Sequence, residues 1–321
     1  MLKILKKATI FGLLIIVMIF TACGTNNTPE VAPIVETTQT PTNTRPNTDR
    51  EGHSISLPDE INTIISIGPA NTEILVALGL GDRIIATDMF SADVVGIPSG
   101  ISTELNMMGL DAEYIINLMP DLVLITGMAR GGGDDDPIAP VSMAGITVIY
   151  MPISASIASI MEDIRFIAAV MDVNEAGQAI ISAKQAEIDE ITQIASTISE
   201  TRTVYFEVSP APWMTSFGTG TFLNEMIELV GATNIFANQT GWIPVTDEVI
   251  LEANPDVILT STDFIDDPIG EILGRAGFNA ITAVQNDNVF QIDANASNRP
   301  SHNIVIALRQ IAEAVFPEYF Q

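Results

Sequence analysis

The sequence predicts an α/β protein of two similar lobes joined by a single long helix, each lobe a sheet flanked by helices. Three observations carry this. Asn62–Asp88 reads as strand, tight turn, helix, glycine stop, strand. Glu113–Leu124 is echoed in kind by Glu248–Leu259. An apolar stripe at helical spacing runs through Ser154–Met171, and a second amphipathic stretch, Asn174–Ser199, follows it.

Thr63–Ile67 is a β-branched run suited to a buried strand. Gly68 and Pro69 punctuate it, and Asn71 or Thr72 is placed to cap the next helix through a side-chain oxygen. Ile74, Leu75 and Leu78 form that helix's apolar face, and Gly79 and Gly81 end it. Glu73 reads as a first-turn carboxylate that complements the helix dipole. Further strands are expected at Arg83–Thr87, Asp121–Thr126 and Ile146–Met151. Ile157, Ile160, Ile164, Ile167 and Met171 then recur at spacings of 3, 4, 3 and 4. Thr203–Val208 opens a second alternating region, which closes with a helix at Ile304–Val315.

In the echo, a glutamate starts a short helix, Pro-Asp stops it seven residues later, and an apolar strand follows. The pairs are Glu113 with Pro120-Asp121, and Glu248 with Pro255-Asp256. Earlier in each half a helix ends at glycine before a strand, at Gly79 and at Gly231.

The chain of 321 residues is long enough for two lobes with their own cores. Its 40 acidic against 13 basic residues, a net charge of -27, argue against nucleic acid as a partner. Lys3, Lys6 and Lys7 precede an apolar run, Ile10–Phe20, that is short for a membrane span. Thr21-Ala22-Cys23-Gly24 then resembles a bacterial lipobox, with Phe20 where leucine is usual. The resemblance implies cleavage before Cys23 and lipid on its sulfur and amino group; a signal cut elsewhere, or an uncleaved anchor, is the alternative. Gly24–Thr48 holds eight Thr, four Asn and four Pro in 25 residues, a composition that cannot bury a core and reads as a tether. The expected organisation is a signal peptide over 1–22, a tether over 23–54, an N-terminal lobe over 55–153, connecting helices over 154–200 and a C-terminal lobe over 201–321.

Taken together, the opening stretch, Glu113 to Leu124, Gly231–Phe236 with Trp242 to Glu248, and Arg299-Pro300 before the last helix resemble the helical-backbone (class III) substrate-binding proteins of ABC importers for iron–siderophores, haem and cobalamin. The resemblance covers about Ile55 to Phe320. It implies two Rossmann-like α/β lobes joined by one long backbone helix, an extracytoplasmic, lipid-anchored, monomeric receptor, no catalysis, and no resident cofactor or metal. It implies as partners an ABC permease dimer with its ATPase subunits, with Glu113 and Glu248 docking one on each permease subunit. The ligand, an iron complex or corrinoid, would lie between the lobes.

Candidate ligand-binding residues are Phe90, Met128, Arg130, Trp213, Trp242 and Arg299. Phe90 and Trp242 match positions where cobalamin-binding relatives place aromatic contacts, and Arg130 lies near a position that is often basic in siderophore binders. For Trp213 and the methionines the alternative is core filling, and for Arg299 a structural ion pair. Asn303 stands where the family often has a second arginine, which favours a neutral or weakly charged ligand over a tris-catecholate. Asp134–Asp136 lacks the alternating spacing of a calcium loop and reads as a solvated loop. His302 is either an axial ligand or a polar residue near a helix start. With His53 and His302 the only histidines, a zinc or manganese receptor is poorly supported, and no hydrolase elbow or phosphate loop is present. The rival function is a surface haem or metal-complex scavenger or sensor without permease docking.

Overall fold

The computed structural model describes residues 45–130 and 136–320. The expected signal peptide, Cys23, most of the expected tether and Asp134 lie outside the described residues. Strand β1 (Ile64–Ile67) is fully buried and runs into Gly68, at φ +104°, which turns the chain directly into helix α1 (Pro69–Ala77). Glycine tolerates that angle, and proline at the first helical position gives up an amide that would have no partner there. The expected cap at Asn71 or Thr72 is therefore corrected: both lie inside α1. Asn71 Nδ2 donates to the Ile67 carbonyl at 3.0 Å, and Thr72 joins Ser66 and Ser91 through its hydroxyl at 2.8 and 3.1 Å.

The first lobe continues through β2 (Ile84–Asp88), β3 (Ser102–Leu105), α2 (Ala112–Asn117), β4 (Leu122–Thr126), α3 (Ala139–Met143) and β5 (Thr147–Met151). Its sheet is all parallel in the order β3-β2-β1-β4-β5. The order reverses between β1 and β4, and such a switch point leaves a crevice at the carboxyl ends of the strands. Gly68 and Thr126 meet there; a Cβ on Gly68 would lie 2.9 Å from Thr126 Cβ.

Two helices follow. α4 (Ile157–Val170) starts at a reciprocal Ser156–Ser159 capping box. α5 (Asn174–Ala195) is the long backbone helix, its 22 residues spanning roughly 33 Å. α4 packs on α1 of the first lobe; α5 packs on α4, then on helices of the second lobe. The α4–α5 crossing is close enough that a Cβ on Gly177 would collide with Ala168 Cβ.

The second lobe runs through β6 (Thr203–Glu207), β7 (Thr215–Phe217), α6 (Phe222–Leu229), β8 (Thr233–Asn234), β9 (Trp242–Pro244), α7 (Asp247–Ala253) and β10 (Val257–Thr260). It ends with α8 (Pro268–Leu273), α9 (Thr282–Gln285), β11 (Val289–Gln291), α10 (Ala294–Asn298) and α11 (Ile304–Val315). β11-β10-β6-β8 form a parallel sheet, and β7 pairs with β9 antiparallel.

The Pro-Asp echo has one structural meaning in both lobes. Met119 at φ +48° and Asn254 at φ +47° end the two short helices. Asp121 Oδ2 then accepts from the amides of Asn62 and Thr63 and from Thr63 Oγ1 at 2.8 to 3.0 Å. Asp256 Oδ2 accepts from the amide and hydroxyl of Thr203 at 2.8 and 2.7 Å. Each aspartate thus pins the start of one central strand to the start of its neighbour.

Among the described residues, tertiary contacts are already made at Arg45, ahead of the expected Ile55. Arg45 donates through Nε and Nη2 to the Val170 carbonyl at 2.9 and 2.7 Å, covering the C-terminal end of α4, where carbonyls lack helical partners. Arg50 Nε lies 3.0 Å from Asp163 Oδ1 in the middle of α4. Residues 45–54 therefore form a strap along that helix. One continuous apolar core runs from the first sheet (Ile64, Leu124) through α4 and α5 (Ile164, Ile188) to the second sheet and α11 (Phe206, Leu308). Among the described residues no helix is long and apolar enough to cross a membrane.

Candidate ligand cleft

A cavity of about 310 Å³ opens at the switch point of the first sheet and is closed on the far side by the Asn298–Pro300 turn of the second lobe. Phe90, Met107, Met128, Met151 and Ile153 give it an apolar lining, with Asn71, Thr126 and Asn298 as polar groups. Asp88, fully buried at the end of β2, sets the geometry of this wall. Its carboxylate accepts from the amides of Gly68 and Phe90 at 2.7 and 2.9 Å and from Ser91 Oγ at 2.7 Å. Phe90 is thereby presented half-exposed at the mouth.

Of the six expected ligand-binding residues, the cavity gathers three: Phe90, Met128 and Arg299. Arg299 is not a free cation. Its Nη1 donates to Glu73 at 3.1 Å, and its Nη2 to Asp93 at 2.8 Å and to the Phe90 carbonyl at 3.1 Å. Arg130 is turned away: it pairs with Glu51 of the strap at 2.5 Å and its guanidinium sits 4.0 Å from the centre of the Tyr150 ring. Trp242 stacks edge-to-face on Phe217 with ring centres 6.0 Å apart, and Trp213 is 83% exposed. Both tryptophans lie outside the lining of the cavity.

Glu73 is corrected from a dipole-complementing carboxylate to the hub of a junction between the lobes. It is only 7% exposed, and accepts from Arg299 Nη1, from Ser301 Oγ at 2.5 Å and from Asn303 Nδ2 at 3.0 Å. Asn303, read as a missing second arginine, is a donor in this junction. Asp163, also unforeseen, lines the cavity from α4. Burial raises its pKa to about 6, against the opposing pull of the Ser154 hydroxyl and Arg50. Alternation and spacing carry no signal for either acid; a glutamate and an aspartate on otherwise apolar helix faces are the only trace.

His302 lies in a separate groove with Asp93 and Asn295, and its pKa is pushed down to about 4 by burial and by the charge of Lys184. It lies outside the lining of the cavity, so the structure does not support an axial role. Asp136 accepts from the Tyr150 hydroxyl at 2.5 Å and from the Ile138 amide at 3.0 Å, and so is part of the local fold. Among the described residues Asp49, Glu51 and His53 on the strap are the one group with metal-compatible spacing, and Glu51 is already paired with Arg130.

Glu113 and Glu248 are both exposed, one in the first turn of α2 and one in that of α7. α2 leads into β4 and α7 into β10, the corresponding strands of the two sheets. A helix that feeds a parallel strand starts at the carboxyl edge, so both glutamates sit at the cleft side of their lobes. The Thr246 hydroxyl holds Glu248 below its ordinary carboxylate pKa.

Two α/β lobes, a crevice at the strand ends and a helical connection define a bilobal binding protein of the periplasmic type. Residues 64–296 match the family described as periplasmic binding protein, and the chain belongs to that family. It is 31% identical over 278 residues to the uncharacterized ABC transporter substrate-binding lipoprotein YvrC of Bacillus subtilis, covering 85% of this chain and 86% of the relative. It is 30% identical over 259 residues to a vitamin B12-binding protein of Vibrio cholerae, covering 80% and 90%. A solved structure of a possible iron-binding (periplasmic solute-binding) protein from Staphylococcus epidermidis superposes with a TM-score of 0.70 at 26% identity, covering 80% of this chain and 100% of that one. The protein is thus an extracytoplasmic substrate-binding protein of the ABC-transporter kind.

Proposed function

We propose that this protein is a lipid-anchored receptor that captures a neutral or weakly charged metal complex, a corrinoid before an iron–siderophore or haem, and hands it to an ABC permease without catalysis. The observation that carries the reading is the cleft itself: an aromatic ring and three thioethers surround it, while Arg130 and Arg299, the expected anchors for an anionic ligand, are both engaged by carboxylates. The vitamin B12-binding relative supports the same ligand class. Glu113 and Glu248 are the proposed docking points on the permease, and Cys23 the proposed lipid attachment site.

Quenching of Trp fluorescence, with calorimetry for confirmation, across cyanocobalamin, hemin, a ferric hydroxamate and a ferric catecholate tests the ligand. Cyanocobalamin is expected to bind tightest and the catecholate weakest. Tightest binding of the catecholate would overturn the charge argument, and binding of none of the four would overturn the metal-complex reading.

A further inference from the structure

Two charged residues line the cavity, Asp163 and Arg299. Arg299 is held by Glu73 and Asp93, and Asp163 by Arg50. Three carboxylates thus stand against two guanidiniums around the cleft, and the local balance is negative. Asp163 is 5% exposed: Oδ2 accepts from Ser154 Oγ, and Oδ1, itself buried, makes no hydrogen bond and faces Arg50 Nε at 3.0 Å. Arg50 belongs to the strap, and its Nη2 is fixed on the Ser159 carbonyl at 3.2 Å. The strap is therefore attached to a residue of the cavity wall.

Resting on the receptor reading above, we propose that Asp163, positioned by Arg50 of the strap, makes the cleft select against anionic ligands and in favour of complexes whose rim carries amide groups. A carboxylate in a low-dielectric wall repels a carboxylate or catecholate strongly and tolerates neutral amide donors. Corrinoids carry amide side chains, whereas haem carries two carboxylates. The strap is then part of the binding site. The charged groups on the elements around Asp163 are Arg50, Glu162 on its own helix, Glu73 on α1, Glu225 on α6 and Arg299 across the cavity. Burial moves Asp163 to about 6, so its charge is present at neutral pH and lost in mild acid.

The test uses the full mature chain with cyanocobalamin and hemin as probes. Asp163→Asn is expected to raise the affinity for hemin relative to cyanocobalamin by about tenfold at neutral pH, the effect of one charge a few ångströms from the ligand. The wild type should gain hemin affinity on acidification through about pH 6, and Asp163→Asn should flatten that rise. Arg50→Gln should move the midpoint of that rise to higher pH, and Arg50→Lys should restore it; a merely structural strap would shift affinity without moving the midpoint. An unchanged affinity ratio and pH profile in Asp163→Asn, with both probes still bound, would overturn this inference and leave the receptor reading standing. A wild type that binds neither probe would overturn the corrinoid and haem readings, and the inference with them.

Discussion

Replacing Glu73 by alanine tests the junction that joins the lobes at the cleft. Glu73 lies on α1, and its three donors, Arg299, Ser301 and Asn303, lie at least 226 positions further along the chain. Hydrogen bonds to a charged group contribute ~1.5–3 kcal/mol each, but three of them do not simply add. Arg299 keeps Asp93 and the Phe90 carbonyl after the substitution, whereas Ser301, fully buried, loses its carboxylate partner. Removing one partner of a buried ion pair costs about 3–5 kcal/mol, and the retained contacts place Glu73→Ala near the lower end. Glu73→Gln, which keeps an acceptor and loses the charge, should cost about 1–2 kcal/mol. Urea denaturation of the wild type and both variants measures these values. A double-mutant cycle with Arg299→Ala should give a coupling of ~1–3 kcal/mol. Native-state hydrogen exchange should speed up in residues 69–74 and 298–303 together, since both sides of the junction loosen. A Glu73→Ala protein within about 0.5 kcal/mol of wild type, with no coupling, would refute the assignment of Glu73 as hub.

Three other outcomes are expected. Charge reversal at both Glu113 and Glu248 should abolish uptake of the bound complex in cells while leaving affinity in solution unchanged; unchanged uptake would remove both from the docking surface. Asp163 has its pKa raised by burial from 3.8 to about 6, so the native state holds its proton more tightly than the unfolded chain and loses stability as pH rises from about 4 to about 6. Thermal denaturation should show Asp163→Asn gaining on the wild type across that interval by up to roughly 3 kcal/mol, and parallel curves would contradict it. Asp121→Ala and Asp256→Ala should each cost about 1–3 kcal/mol, because each leaves the amide and hydroxyl of Thr63 or Thr203 without an acceptor; a large difference between the two would break the equivalence of the lobes.

The sheets and the connecting helices were legible because their signals are local. A strand buried on both faces reads as a β-branched run, as Thr63–Ile67 does, and α4 advertises itself through isoleucines at helical spacing. The Pro-Asp echo was legible as a repeat, though its purpose needed the adjacent strand. Three features were hidden for identifiable reasons. Pro69 at the first turn moved the helix start ahead of Asn71, so a strong capping residue became an interior one. Residues 45–54 follow directly on the Thr/Asn/Pro-rich tether and carry no apolar run of their own, and nothing local marks Arg45, Arg50 and Glu51, whose partners lie far along the chain. Occupation of the cleft cations was legible only as an alternative for Arg299 and not at all for Arg130, since the carboxylates that hold them are remote in sequence.

These hidden contacts bear on how such a receptor discriminates. A binding protein whose lobes swing shut can reject a ligand by failing to close on it. Here one core passes through α4 and α5 into both lobes, the Glu73 junction ties the lobes at the mouth of the cleft, and the strap braces α4. With closure restrained, selectivity falls to the shape and charge of the preformed wall, which puts weight on Asp163 and on the engagement of Arg299. The same restraint constrains release. On the docking reading, a permease that grips Glu113 on one lobe and Glu248 on the other pulls across the Glu73 junction, and the strength of that junction sets how much work opening takes. Weakening it with Glu73→Gln should therefore speed ligand release in the presence of the permease more than in its absence.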